Sequence, residues 1–202
     1  MSVKTKSTYH HGDLRKALLR EAPGCIAEQG LDKFTLRGLA RDLGVTHGAV
    51  YKHFADKREL LVALALSGHK DFAATLRDAA LSDQGVEDRI RLVARAYVRW
   101  ALGNESIYQI MFGPRLNEDG RHPELEEAIE DSFCSVDALF TTQSISKARV
   151  RHLSVSLMTQ LHGYCDLVRL RRIRVRGAKA AETYLMQSID PLLRGLCAEL
   201  DV

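Results

Sequence analysis

The clearest chemical pattern in the chain lies in the segment TLRGLARDLGVTHGAVYKHFADKREL, which runs from Thr35 to Leu60. Thr35 and Thr46 each precede a short run with apolar residues three and four apart. A threonine hydroxyl is a good cap for the free N–H groups at the start of a helix. Gly44 lies between the two runs, where a tight turn is needed. The pattern therefore predicts two short helices that cross steeply, as in a helix-turn-helix.

The second of these helices has an outer face that suits contact with DNA. Gly48 and Ala49 keep it slim, so the start of the helix can approach base edges, and Ala49 can touch a thymine methyl group. The hydroxyl, imidazole and ammonium groups around them can bond to bases or phosphates. We assign Thr46–Ala49 to bases and Tyr51–Lys57 to phosphates. The full set of predicted DNA-binding residues is Thr35, Arg37, Thr46, His47, Gly48, Ala49, Tyr51, Lys52, His53 and Lys57.

The positive charge of the chain is concentrated at the same end. Residues 1–60 carry eleven Lys and Arg against seven Asp and Glu, a net charge of +4, whereas residues 61–202 carry a net charge of −1. A polyanion that contacts the first third of the chain is the natural inference. A merely basic surface would have the same charge, but here the excess coincides with the face suited to DNA.

Helical periodicity continues through the rest of the chain, without sustained alternation of apolar and polar residues. We expect an all-α fold, with a three-helix helix-turn-helix DNA-binding domain over residues 1–56 and a helical ligand-binding and dimerisation domain over residues 57–202. Pro23 should kink or break the first helix, and Pro191 should kink the last one. The predicted helices span residues 12–29, 36–43, 46–53, 57–80, 86–102, 105–112, 123–140, 146–170 and 179–199.

Several classes of protein are disfavoured by what the sequence lacks. It has no serine elbow, phosphate loop, HExxH pair or Gly-rich dinucleotide turn, so we expect no enzyme and no cofactor. No Cys and His cluster has metal-ligand spacing, and the four cysteines are expected to be reduced thiols. No apolar run is long enough to span a membrane, and Met1–Tyr9 is no secretory signal, which makes the cytoplasm the expected location.

At this point the motifs are recognisable, because the chain resembles the tetracycline-repressor (TetR) family of bacterial regulators. The resemblance covers about fifty residues, in the right order and spacing. Its parts are Tyr9–Arg15, Gly30-Leu31, Phe34–Arg37, Gly44–Thr46, Ala49–Phe54, Lys57 and Leu60-Leu61. Pro23 departs from the uninterrupted first helix that is usual in the family. Three C-terminal stretches, Tyr97–Ala101, Tyr108–Phe112 and Leu161–Gly163, resemble one subclass of the family.

The resemblance implies a ligand-responsive repressor. Such proteins are dimers in which the last two helices of each subunit form a four-helix bundle, and the middle helices enclose a ligand pocket. Ligand binding moves the fourth helix and changes the spacing of the two recognition helices, so the affinity for DNA falls. A regulator controlled by a protein partner, one that acts without a ligand, and an activator are the alternatives left open.

Two apolar stripes near the end of the chain suit a homodimer. Each stripe could instead be buried within one subunit. A single recognition helix makes too few base contacts for a selective site, and two-fold symmetry doubles them on a palindromic operator, which favours the dimer. The predicted interface residues are Leu153, Leu157, Leu161, Leu185, Ile189, Leu192 and Leu196.

A second set of apolar and aromatic residues is the candidate lining of a pocket for a small apolar or amphipathic ligand. Plain core packing is the alternative for each of them. His162 is the best polar candidate, because the neighbouring Gly163 lets a molecule approach closely. The set is Phe72, Tyr97, Trp100, Ile110, Met111, Phe112, Phe133, Met158, His162 and Cys165.

Overall fold

The computed structural model describes residues 11–141 and 144–200, and within them the chain is all-helical, as predicted. The first part of the N-terminal motif, Tyr9-His10, and residues 1–10 of the predicted first domain lie outside this range. The helices are α1 (His11–Gln29), α2 (Leu36–Asp42), α3 (His47–Tyr51), α4 (Lys57–Ala80), α5 (Val86–Gly103), α6 (Glu105–Phe112), α7 (Pro123–Cys134), α8 (Lys147–Arg169), α9 (Ala178–Ser188) and α10 (Asp190–Ala198), with a 3-10 turn at Asp137–Leu139.

Helix α1 continues through Pro23. Of the two expected effects of this proline, a kink or a break, the break was wrong. The apolar stripe extends on both sides of the proline, and Leu14, Leu18, Ala22 and Ile26 are all buried. Burial on both sides of the proline therefore offsets the hydrogen bond that proline cannot make, and the helix is not interrupted.

The predicted last helix is two helices, α9 and α10, separated at Ile189. Pro191 lies in the first turn of α10 instead of kinking a longer helix. The first turn is the place where a proline fits best, since the N–H groups there have no partner within the helix. The predicted helix over 123–140 is also shorter, and ends at Cys134 before the 3-10 turn.

The apolar faces of the first three helices meet and are continuous with the core of the rest of the chain. Leu39, Ala40, Val50 and Phe54 are buried at the crossing of α2 and α3, as the helix-turn-helix pattern predicted. Arg15 on α1 closes this unit, because its guanidinium lies 4.4 Å from the centre of the Phe54 ring and Nη1 donates to the backbone oxygen of His53 at 3.2 Å.

Helix α4 is the centre of the remaining helices, and packs against α5, α6 and α7. Helix α6 approaches α4 closely at Gly68. A Cβ atom at this position would lie 2.5 Å from Cγ2 of Ile107 and 2.7 Å from Sδ of Met111. The absence of a side chain at Gly68 therefore lets α6 lie directly on α4. Helix α6 also contacts α1, so it touches both parts of the chain.

The two C-terminal apolar stripes are mostly core of the single chain, which corrects the predicted interface. Six of the seven predicted interface residues are buried without any partner subunit, and Leu192 is half-buried. They pack inward, on the faces of α8, α9 and α10 that lie against the rest of the chain. The six buried residues are Leu153, Leu157, Leu161, Leu185, Ile189 and Leu196.

The turn between α2 and α3 depends on a glycine, which gives a test of the fold. Gly44 has a φ of 67°, and a Cβ atom placed on it would have no neighbouring atom within 4 Å, so Gly44→Ala would suffer only conformational strain. We expect Gly44→Ala to lower the free energy of unfolding by about 1 kcal/mol. Chemical denaturation followed by circular dichroism measures this change.

Gly24→Ala is the matched control for that substitution. Gly24 is exposed on α1, also has free space around it, and has no positive φ. Alanine should raise the stability there, because it favours a helix by up to about 1 kcal/mol over glycine. Equal effects of the two substitutions would contradict the role given to the left-handed backbone at Gly44.

Candidate DNA-binding surface and ligand cavity

The starts of α2 and α3 are fixed by the two threonines that the sequence singled out. Oγ1 of Thr35 accepts from the N–H of Gly38 at 3.0 Å, and Oγ1 of Thr46 accepts from the N–H of Ala49 at 3.3 Å. Each hydroxyl acts here as an acceptor, so its own O–H remains able to donate to a phosphate or a base. Both side chains are exposed.

The outer face of α3 is open to solvent. Val50 is fully buried beneath it, whereas His47 and Gly48 are exposed and Ala49 is half-buried. Tyr51 is 53% exposed. Arg37 on α2 and Lys52 after α3 are exposed as well. These residues form one accessible face that combines hydroxyl, imidazole and cationic groups.

His53 and Lys57 differ from the rest of the predicted DNA-binding set, because both are partly engaged within the chain. Nε2 of His53 is buried without a hydrogen-bond partner in the described part of the chain. Nζ of Lys57 donates to the backbone oxygen of Leu31 at 2.6 Å, and lies 5.9 Å from the centre of the Phe34 ring. The ammonium of Lys57 thus joins the start of α4 to the loop between α1 and α2.

A shallow concavity of about 500 Å³ lies beside α3, and adds two residues that the sequence reasoning missed. Arg41 and Gln29 line it together with Thr35, Arg37 and His47. Arg37 and Arg41 are four residues apart on α2, a spacing that puts both on one face, and this was the available signal. A concavity with two guanidinium groups can receive a phosphate.

Arg58, next to Lys57, points the opposite way and binds the loop between α6 and α7. Its Nε donates to the backbone oxygen of Leu116 at 2.7 Å, and its two terminal nitrogens donate to the carboxylate of Asp119 at 2.7 and 2.6 Å. This bidentate contact holds the pKa of Asp119 well below its usual range. The first turn of α4 is therefore attached to both parts of the chain.

Most of the aromatic residues predicted to line a pocket pack against one another, whereas Phe133 packs beneath the guanidinium of Arg151. The rings of Tyr97 and Trp100 both have their centres 4.9 Å from that of Phe72. The hydroxyls of Tyr97 and Tyr108 lie 2.9 Å apart, and that of Tyr108 lies 2.6 Å from Nδ1 of His162. Burial raises the pKa of Tyr97. This cluster is part of the core, and a short series of hydrogen bonds connects Tyr97, Tyr108 and His162 within it. It corresponds to the core packing that was given as the alternative to a pocket.

Burial separates the predicted pocket residues into two groups. Phe112, Phe133 and His162 are half-buried. Tyr108, which was not in the predicted set, supplies the central hydroxyl of the chain. The buried members are Phe72, Tyr97, Trp100, Ile110, Met111, Met158 and Cys165.

A cavity of about 300 Å³ lies to one side of this cluster, between α4, α6, α7 and the loop that follows α6. Met111 and Phe112 are the two predicted pocket residues that line it. Polar residues of the loop and of α7 form its rim. The remaining lining residues are Ala65, His69, Gly113, Pro114, Arg115, Leu116, Asn117, Glu118, Leu125, Glu126 and Ile129.

His69 is the polar group in the wall of this cavity that α4 contributes. It is 1% exposed, and its Nδ1 lies 2.9 Å from Oγ of Ser132 on α7. Burial lowers the pKa of His69 to about 4, and a hydrogen bond with the backbone of Met111 acts in the opposite direction. The ring is therefore neutral at pH 7.

A second concave surface, of about 690 Å³, lies between α8 and α9. Val155, Leu167 and Tyr184 line it and are 38%, 44% and 49% exposed. They are on the side of these helices that faces away from the core. Isolated exposed apolar residues are common, but a group of them on neighbouring helices marks a contact surface.

Two family models match the chain. Residues 18–64 match the model described as "Bacterial regulatory proteins, tetR family", and residues 90–190 match "Tetracyclin repressor-like, C-terminal domain". The chain belongs to the TetR family. The protein is therefore a DNA-binding transcriptional regulator, and its helix-turn-helix lies within the N-terminal match. No helix among residues 11–141 and 144–200 is long and apolar enough to cross a membrane.

Relatives of known name are similar to the N-terminal part of this TetR-family chain. The HTH-type transcriptional regulator Rv1816 of Mycobacterium tuberculosis is 32% identical over 91 residues, which are 44% of this chain and 38% of that protein. The HTH-type transcriptional repressor Rv1474c of the same organism is 40% identical over 65 residues, 32% of this chain and 35% of that protein. The chain thus matches less than half the length of these relatives.

Solved structures are similar over nearly the whole chain. A protein of unknown function from Rhodococcus sp. RHA1 has a TM-score of 0.75 and 28% identity, and the match covers 94% of this chain and 98% of that one. The TetR-family regulator PfmR from Thermus thermophilus has a TM-score of 0.69 and 21% identity, with 95% and 97% covered. The second comparison is evidence for the fold alone.

The buried His69 gives a prediction about stability and pH. Between pH 4 and 6.5 the unfolded chain binds a proton at this ring that the folded chain does not, so the free energy of unfolding rises with pH in this window and is at its full value above it. From pH 7 to pH 4, wild type should lose about 2–3 kcal/mol more than His69→Phe. Urea denaturation across this range measures the difference.

His152→Gln is the control for the pH measurement. His152 is exposed on α8, so its replacement should leave the pH dependence of wild type unchanged. A His69→Phe protein with the same pH dependence as wild type would mean that another group is responsible for acid destabilisation.

Proposed function

We propose that this regulator is a repressor that binds a palindromic operator as a dimer and releases it when a small molecule binds. The observation that carries the proposal is the exposed face of α3, which lies beside the start of α2. Threonine hydroxyls cap the starts of both helices. We also propose the division into a DNA-binding domain over residues 1–56 and a ligand-binding and dimerisation domain over 57–202, which the matched ranges 18–64 and 90–190 support.

In the proposed complex α3 lies in the major groove. Thr46, His47, Gly48 and Ala49 approach the bases, because they are at the start of the helix, where the first three are exposed and Ala49 is half-buried. Tyr51 and Lys52 contact phosphates on one side of the groove. The concavity lined by Thr35, Arg37 and Arg41 receives a phosphate on the other side.

The proposed dimer forms through the surface between α8 and α9. Val155, Leu167 and Tyr184 are exposed there, whereas the leucines predicted from their spacing are buried in the core. A self-complementary contact along this surface would have two-fold symmetry and would pair two copies of α3. With only five residues, α3 offers few contacts, so one copy would give little selectivity.

Repression is favoured over activation, since Rv1474c of Mycobacterium tuberculosis and AcnR of Corynebacterium efficiens are named repressors. Response to a small molecule is favoured over response to a protein partner by the cavity between α4, α6 and α7, which apolar and polar side chains line together and which is adjacent to the loop that binds Arg58. Regulation without a ligand, or through a protein partner, remains the second candidate.

Selection of bound DNA in vitro tests the proposed reading surface. Wild type should select a palindrome, and His47→Ala should select an altered motif, because His47 is assigned to bases. An unchanged motif would remove His47 from the residues that read bases, and a selected site without two-fold symmetry would contradict the palindrome.

Salt dependence separates the phosphate contacts from the base contacts. Lys52→Ala should weaken binding to all sequences and reduce the slope of log K against log salt concentration by about 1, since one phosphate contact is lost. Lys70→Ala is the control, because Lys70 is an exposed lysine on α4 outside the proposed surface. Equal slopes for wild type and Lys52→Ala would exclude the assigned contact.

The dimer surface is tested with Val155→Glu combined with Leu167→Glu. Two buried charges facing each other across the symmetry axis should give a monomer by sedimentation velocity, with binding to the full operator greatly reduced. Leu81→Glu is the matched control, since Leu81 is 62% exposed at the far end of α4. A wild-type monomer, or a double variant that stays dimeric, would refute the surface.

A further inference from the structure

The connection between α8 and α9 is a strongly basic segment to which the proposed function gives no role. Residues 171–179, the basic loop, carry five cationic side chains and no carboxylate. Residues 61–202 have a net charge of −1 with this loop included, so the loop is a positive surface on an otherwise negative part of the chain. All five side chains are exposed; they belong to Arg171, Arg172, Arg174, Arg176 and Lys179.

The charge of the basic loop is not neutralised within the described part of the chain. None of the five side chains has a hydrogen bond or an ion pair among residues 11–141 and 144–200. The two carboxylates closest in sequence have other partners. Asp166 accepts from Arg169 at 3.1 Å, and Glu182 accepts from Arg99 at 2.7 Å. The loop therefore offers its cations to a partner outside the subunit.

Apolar residues attach the basic loop to the core between its arginines. Ile173 and Val175 are half-buried and pack against the core, whereas Arg172, Arg174 and Arg176 on either side of them are exposed. This alternation holds three guanidinium groups next to one another on the outer surface. Guanidinium is the side-chain group that best matches phosphate oxygens, because it can donate to two of them at once.

The backbone at Arg171 shows that the fold alone does not explain the arginine at this position. The N–H of Arg171 donates to the oxygen of Val168 at 2.9 Å, and that of Arg172 donates to the oxygen of Leu167 at 2.8 Å. This is the Schellman pattern at the end of a helix, in which glycine is the usual residue where Arg171 lies. Arg171 has a φ of 56°, and no other described non-glycine residue has a positive φ. A strained arginine at the surface points to a role in binding.

The basic loop lies at the end of the larger helical part that is nearer to the helix-turn-helix. Near the end of α8, the ring centre of His162 lies 4.8 Å from that of Phe112 on α6, and α6 packs on α1. At the start of α9, Glu182 binds Arg99 in the last turns of α5, which lead into α6. Both helices that flank the loop therefore meet the rest of the chain beside the helix that contacts α1.

The basic loop also borders the proposed dimer surface. Ile173 lines the concavity between α8 and α9 together with Leu167 and Tyr184. A dimer formed through this surface brings the two loops close to the symmetry axis. Each loop is then on the side of the helix-turn-helix, between the two copies of α3.

We propose that the basic loop is a second DNA-binding surface, whose arginines contact the phosphates between the two half-sites of the operator. The inference rests on the proposed function, because the loop faces this part of the operator only in a dimer formed through α8 and α9. Phosphates carry no sequence information, so the loop adds affinity for any DNA and leaves the recognition of bases to α3.

The salt dependence of operator binding tests the contact. A variant with Arg172→Gln, Arg174→Gln and Arg176→Gln should bind the selected operator about tenfold or more weakly at low salt. Its slope of log K against log salt concentration should fall by about 2 or more, since each lost phosphate contact contributes about 0.9 and both subunits are changed. The DNA motif selected in vitro should be unchanged.

A second triple variant is the matched control. Lys70→Gln, Lys147→Gln and Arg194→Gln remove the same charge from exposed positions on α4, α8 and α10, outside the loop. This variant should retain the slope of wild type. Equal slopes for the loop variant and wild type, or equal losses in both triple variants, would overturn the proposal.

Glycine and alanine at position 171 separate the role of Arg171 in the fold from its role in binding. Both substitutions remove the same charge, so both should weaken DNA binding to the same extent. Arg171→Gly should unfold at a higher urea concentration than Arg171→Ala, because only glycine relieves the left-handed backbone. An Arg171→Gly protein that binds DNA as tightly as wild type would contradict the contact.

Modified operators locate the contact on the DNA. Uncharged methylphosphonate linkages in place of the central phosphates should weaken the binding of wild type and have little further effect on the loop variant. The same linkages outside the two half-sites should affect both proteins equally. Equal effects of the central linkages on wild type and the loop variant would overturn the proposed position.

A membrane is the other anionic surface that the loop variant can test. Wild type should not sediment with phosphatidylglycerol vesicles. Binding to these vesicles that the loop variant loses, together with an unchanged salt slope on DNA, would replace the proposal by one of lipid binding.

The oligomeric state separates failure of this inference from failure of the proposed function. A dimer that selects a palindrome, and whose salt slope is the same in the loop variant, would overturn the inference and leave the proposed function intact. A wild-type monomer, or a selected site without two-fold symmetry, would refute the proposed function and with it the position of the loop between two half-sites.

Discussion

The first turn of α4 is the constraint on which the arrangement of the molecule depends. Two neighbouring cations leave it in opposite directions: Lys57 donates to the Leu31 carbonyl near the helix-turn-helix, and Arg58 holds Leu116 and Asp119 after α6. Because both residues belong to one helical turn, a shift of either attachment moves the other. The position of α3 relative to the larger helical part is thus set by a few charge-assisted hydrogen bonds together with the packing of α1 on α6.

Polar groups at the two candidate sites perform structural and binding roles at once. The hydroxyls of Thr35 and Thr46 accept from backbone N–H groups and so fix the helices they begin, and each retains a proton for a further bond. His69 uses one ring nitrogen to join α4 to Ser132 on α7 in the wall of the cavity. For each threonine the structural bond also fixes the orientation of the hydroxyl that is left to bind.

The sequence was sufficient for most of the helices and for the accessible face of α3, because caps, glycines and apolar spacing are local signals. It was insufficient where the outcome depends on what covers a surface. The spacing of Leu157 and Leu161 identified an apolar face on α8 but not whether the core or a second subunit covers it. Val155, on the other face of α8, is not part of that apolar spacing and was not predicted to lie at an interface. The cavity had no signal, since it is a place where side chains fail to meet, and His69 is one of several polar residues in this part of α4. At Pro23 local preference was overridden by packing on both sides.

One of the hydrogen bonds from Arg58 to the cavity loop ends on the backbone oxygen of Leu116, an atom that every amino acid supplies. The side chains that line the cavity can therefore be exchanged, and the molecule it accepts can change, while this link to α4 persists. Mutation can therefore change which ligand the cavity recognises without changing how the cavity loop is connected to α4. The ligand specificity of such a protein can therefore change through substitutions in the cavity while the hydrogen bond that connects the cavity loop to α4 stays the same.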